Sequence, residues 1–190
     1  YCEGDAPLHL AEGDYSIKVW RGPEYRVLEK EIKIEAGREQ IINLELERWI
    51  DLAGKGWYSG ENHTHANYGY GHWYNHPQTI IRQVQGEDLN VCNAVVANSD
   101  GNGVFDREFF RGGLDPKSTK THMVYWNQEL RSTIWGHLTL QNLTQLVEPI
   151  FLGFKGTTNP YDVPTLADVE QEVIDQGGAV SYTHPASNSK

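Results

Sequence analysis

Cysteine is almost missing from this chain. Cys2 and Cys92 are the only two, they lie far apart, and no C-x-x-C spacing occurs, so neither a thiolate zinc site nor a disulfide scaffold is supported. Long apolar runs are missing too. None approaches the roughly 20 residues a membrane-spanning helix needs, and no signal-like start is visible. Basic residues are in deficit, with 16 Lys and Arg against 26 Asp and Glu for a net charge of −10. The lack of a basic stripe argues against binding to a nucleic-acid backbone. A G-x-S-x-G elbow is also absent and Ser99 has no evident base partner, which sets serine-nucleophile hydrolysis aside.

The composition that remains is that of a globular protein, 38% hydrophobic and 22% charged over 190 residues. That length suits one ordinary domain, or a small one joined to part of a larger one. Residues 1–50 read as β structure. Tyr15, Ile17 and Val19 alternate with polar neighbours, Ile32 and Ile34 mark another strand, and Ile42, Leu44 and Leu46 alternate again. Turn chemistry at Gly13-Asp14, Gly22-Pro23 and Gly37 separates them. A small antiparallel β-sandwich module is expected here, incomplete at its start and serving as packing or spacer.

From residue 51 the pattern changes to strand, helix, strand. Ile80, Ile81 and Val84 have helical spacing within 78–88, and 89–97 reads as a buried strand, so a β-α-β unit with parallel pairing is expected. Residues 101–121 read as an irregular excursion. Strands are expected over 123–129 and 136–143, a helix over 165–176 with Pro164 in its first turn, and a last strand from Ala179 that ends in His184.

Four of the eight histidines lie between Gly60 and Pro77, at His63, His65, His72 and His76. On a strand His63 and His65 project from one face, which makes them a ready pair of metal ligands, although in isolation a His-x-His pair is often surface composition. The recurrence is more telling. His63 and His65, then Asn98-Ser99-Asp100, Glu129, His137 and His184 fall at or near the ends of five successive strands. In α/β sheets and barrels such ends carry chemistry. Imidazole and carboxylate suit zinc, manganese or iron, and a site rich in both can hold two ions that activate a water for hydrolysis.

The ordered series GENHTHANYG, VVANSDG, NQELRSTIWGHLTLQNL and GGAVSYTHP resembles the PHP-type (polymerase and histidinol phosphatase) metal-dependent hydrolases, most of all their CehA/McbA-like branch. LAEGDYSIKVWRGPEYR resembles the β-sandwich that often precedes that domain. The resemblance implies a distorted (β/α)7 TIM-like barrel over 51–190, incomplete at its end, with a two- or three-metal site at its strand ends. It implies that His63, His65, Glu129, His137 and His184 are metal ligands, with Glu129 as a bridge and zinc, manganese or iron as the ion. Many members of the family have Thr-Asp-His where this chain has Ala97-Asn98-Ser99-Asp100, so the ligand expected there is either Asp100, as a further ligand or proton acceptor, or lost. The family's acid shortly after His-x-His is absent, and His72 or His76 would either compensate or belong to an aromatic loop over the site mouth. Arg131 is expected to form a structural salt bridge. The expected activity is hydrolysis of a small-molecule phosphoester, amide, ester or carbamate, in an extracytoplasmic protein. The alternative is a non-catalytic module with a degenerate barrel that binds carbohydrate or protein.

Overall fold

In the computed structural model, residues 4–69 and 74–185 are described. The first fifty residues contribute one antiparallel ribbon, β1 (Gly13–Val19) with β2 (Leu28–Ile34), in register from Gly13 opposite Ile34 to Val19 opposite Leu28. Ile42, Leu44 and Leu46 keep the expected alternation of exposure but join no strand. The β-sandwich expectation is therefore corrected to a two-stranded ribbon among the described residues. Its apolar side chains are only half-buried, so no second sheet has a core to pack on.

The remaining chain builds one seven-stranded sheet. Its main path runs through β3 (Gly60–Thr64), β4 (Val91–Asn98), β6 (Met123–Ser132), β7 (Gly136–Gln141) and β9 (Ala179–Thr183). Two short strands, β5 (Val104–Phe105) and β8 (Phe151–Leu152), pair with β4 and β6. Helix α1 (Pro77–Gly86) links β3 to β4, and α2 (Leu166–Asp175) precedes β9. Thr165 caps α2 in a reciprocal capping box with Asp168, so Pro164 lies just outside the helix and not in its first turn.

The (β/α)7 TIM-like barrel is contradicted: the described residues form a mostly β, curled half-barrel with two α-helices. A barrel of that kind needs a helix after each strand and parallel pairing throughout. Here β3, β4 and β6 pair in parallel, but β7 is antiparallel to both β6 and β9. The reason is local. Only Thr133, Ile134 and Trp135 separate β6 from β7, and a parallel return takes a dozen residues or more. Ser132 Oγ accepts from the Trp135 amide at 2.9 Å and fixes this short turn.

Strand alternation sorts the sheet into two unlike faces. One carries Cys92, Ala94, Val124, Trp126, Leu130, Leu138 and Leu140, buried against Ile80, Ile81 and Val84 of α1 and Leu166, Val169 and Val173 of α2. Each such leucine or valine stabilises the fold by about 1.5–3 kcal/mol relative to exposure. The opposite face carries Asn93, Asn127, Glu129, Arg131, His137, Thr139, Ser181 and Thr183, with buried Val95 and Ala97 of β4 among them. The sheet curls around this polar face. Edge strands four spacings apart would be about 19 Å from one another if the sheet were flat. Instead Asn62 on β3 donates to Ser181 Oγ on β9 at 3.5 Å.

The ribbon docks at the end of the sheet where β4 begins. Arg48 reaches Glu24 and Asp88, both at 2.6 Å, and Arg21 meets the same Asp88 carboxylate at 3.1 Å. Gly22, at φ +60°, lies so close to the Glu87 carbonyl that any Cβ would collide with it. The length of β4, roughly 25 Å, separates this junction from the opposite rim of the sheet. Because Asp88 is shared between two guanidiniums and its side chain is buried, Arg48→Ala and Asp88→Ala should be non-additive. A double-mutant cycle by urea unfolding should give a coupling on the order of 1 kcal/mol. Simple additivity would mean that the ribbon is not held there.

Candidate metal centre

Five side chains converge at that opposite rim, each delivered by a different piece of strand geometry. His63 lies on β3 and His65 just beyond it, two residues apart and on one face, with their Nε2 atoms 3.0 Å from each other. Glu129 projects from the C-terminal half of β6 onto the polar face and is 1% exposed. His137 stands at the start of β7, opposite Arg131. Because β7 runs backwards, its start lies at the same rim as the ends of its neighbours, so the reversal that breaks the barrel also brings His137 into the group. His184 follows β9, beside Thr183, which is paired with His137.

Both oxygens of the Glu129 carboxylate are used. Oε2 lies 3.1 Å from His65 Nε2, while Oε1 lies 3.0 Å from His137 Nδ1 and 3.6 Å from both His63 Nε2 and His184 Nε2. Two overlapping sets result, His63, His65 and Glu129 on one side and Glu129, His137 and His184 on the other. Donors each about 2.05 Å from a tetrahedral zinc ion would lie about 3.3 Å apart. The separations of 3.0–3.6 Å bracket that figure, and within each set all donor atoms lie within 4.8 Å of one another, so the donor chemistry and spacing suit a divalent ion.

The electrostatics point the same way. Burial alone would push the Glu129 carboxyl up, but hydrogen bonding with His137, His63 and His65 outweighs it and holds the group well below the usual carboxylate range. A buried anion faced by imidazole nitrogens is stable only with positive charge among them, supplied by protons or by a metal.

The other expected residues are placed elsewhere. Asp100 is exposed on the rim, 4.0 Å from Arg131 Nη2, and does not join either donor set. Arg131 is anchored chiefly by the Asn98 and Ser99 carbonyls, with its guanidinium over the rings of Tyr68 at 5.2 Å and Phe154 at 5.4 Å. His76 packs with Tyr74 and Phe109 at the start of α1. His72 lies outside the described residues.

Two neighbours of the site were not legible in the sequence. Tyr68 lays its ring 4.4 Å from that of His65, and burial, opposed by Arg131, pushes its phenol up. Asp106, from the excursion read as irregular, is 2% exposed and accepts from the Asn67 backbone and side chain, immediately beyond His65. Burial pushes its carboxyl up as well, against those hydrogen bonds. No spacing rule links Asp106 to His65, since they meet only through the fold.

The depressed Glu129 carboxyl has a pH signature in metal-stripped protein. Its stabilisation relative to Glu129→Gln is fully present above the unfolded value of about 4.3 and is lost as pH falls from there towards the folded value. Urea unfolding of both proteins between about pH 7 and 3 should show the gap narrowing only in the acid range. A gap that is constant with pH, or absent, would contradict the charge assignment.

Among the described residues, no helix is long and apolar enough to cross a membrane. Compared with protein-family models, curated proteins and solved structures, the chain matches none, so the resemblance to PHP-type hydrolases rests on its motifs alone.

Proposed function

We propose that this protein is a metal-dependent hydrolase in which Glu129 bridges two divalent ions, one shared with His63 and His65 and the other with His137 and His184. The observation that carries this reading is the ligand count. Each set offers three protein donors around one buried carboxylate, at a rim where the His184 side chain is 48% exposed. Structural zinc sites are normally closed by four protein ligands, whereas catalytic ones keep a position open for water and substrate. Zinc suits the nitrogen and oxygen donors, and manganese or iron would be accepted by the same set.

Ions held in this way would lower the pKa of a bound water and polarise a carbonyl or phosphoryl oxygen. The protein's own part is positional. Glu129 is shared by the two sets, the β3 histidines and the pair from β7 and β9 each bring nitrogens to its carboxylate, and the open rim admits a small-molecule phosphoester, amide, ester or carbamate. Convergence of four imidazoles on one carboxylate weighs against the alternative of a non-catalytic carbohydrate- or protein-binding module, which would have no use for it.

Metal analysis of the purified protein should find about two ions per chain. His63→Ala with His65→Ala should remove one, His137→Ala with His184→Ala the other, and Glu129→Ala both. Chelation should abolish hydrolysis across a panel of p-nitrophenyl phosphate, ester and carbamate substrates, and added zinc or manganese should restore it on at least one. Two ions per chain still bound in the His63/His65 double variant, or none in the wild type, would refute the proposal.

A further inference from the structure

Asp106 is a buried acid that the proposed hydrolytic step does not use. It stands at φ +66°, a left-handed backbone that costs a non-glycine residue on the order of 1 kcal/mol and is retained where the surroundings demand it. Its carboxylate accepts from the Asn67 amide at 3.1 Å, from Asn67 Nδ2 and from the Ala66 backbone, the two residues directly after His65. Asn67 and Asn75 complete the arrangement. Asn67 Nδ2 donates to the Asn75 carbonyl at 2.9 Å, and the Asn75 amide returns a bond to Asn67 Oδ1 at 2.6 Å. Asn75 Nδ2 donates to the Ala66 carbonyl, also at 2.6 Å.

These contacts clamp the chain at the point where it leaves His65. Every group that Asp106 meets in them is an N–H donor, so the position requires an acceptor-only side chain. An asparagine there would turn an NH2 towards at least one of those donors and orphan it. Among the described residues nothing comparable links Asp106 to the far side of the site, where His137 is paired with Thr183, the residue before His184.

We propose that Asp106, through Asn67 and Asn75, is the positioning residue for the His65 half of the metal centre and governs the affinity of that half alone. The proposal rests on the two-ion reading. Groups that orient a metal-ligating histidine typically contribute about 10–100-fold in metal affinity, and here the orientation is imposed through the backbone that carries the imidazole.

The test separates the two halves before probing the clamp. In chelator-stripped His137→Ala protein, which keeps His63, His65 and Glu129, Asp106→Asn should weaken zinc binding about 10–100-fold and alter the visible absorption of bound cobalt(II). In His63→Ala protein, which keeps Glu129, His137 and His184, the same change should leave both readouts as they were. Asn67→Ala, which removes the clamp from its other side, should reproduce this asymmetry and decides the matter if Asp106→Asn does not fold. Equal weakening of both halves would show a general structural role and overturn the proposal, as would no change in either. A wild-type protein that binds no zinc or cobalt would overturn the two-ion reading itself, and that result would be seen before any Asp106 variant is made.

Discussion

The Glu129 carboxylate is buried on the middle strand of the sheet with four imidazole nitrogens around it, and the architecture of residues 51–185 can be understood as what makes that placement tolerable. An isolated carboxylate in such a position would be neutralised or expelled. The fold meets the requirement by dividing its labour between two faces. Leucines and valines on one side bind the helices and supply the cohesion, leaving the other side free to collect Asn93, Asn127, Glu129, Arg131, Thr139 and Thr183. A sheet with both faces committed to a core could not hold five ligand-type side chains within reach of one another.

Curvature and strand reversal then complete the site. His63 lies on the first strand of the main path and His184 directly after the last, yet their rings stack with centroids 5.9 Å apart. The curl brings the two edges together, and the tight turn after Ser132 returns the chain so that His137 enters from the start of a strand. Strand direction proves secondary to which end of the sheet a residue occupies. The same chemistry would be lost if β7 were parallel with its histidine still at its start, because His137 would then lie at the end where the ribbon docks.

Much of the local structure was legible in the sequence, since it is encoded locally. Ile80, Ile81 and Val84 specify α1, the apolar run after Leu89 specifies β4, and the polar residues at strand ends single out His63, His65, Glu129, His137 and His184, along with Asp100, which joins neither donor set. The topology was not legible, although one clue was available: three residues between β6 and β7 are too few for a parallel return. The β-sandwich expectation failed for a different reason. Alternation over Ile42, Leu44 and Leu46 describes exposure, and exposure alternates in an extended segment whether or not a neighbour pairs with it. Asp106 could not be anticipated at all, because its contact with Asn67 closes a sequence separation of 39 positions.

Crystals soaked in zinc and measured at the zinc absorption edge test the central claim most directly. The account predicts two anomalous peaks flanking the Glu129 carboxylate, one bonded to His63 and His65 and the other to His137 and His184. No peak within bonding distance of Glu129, with these imidazoles still gathered around it, would contradict it.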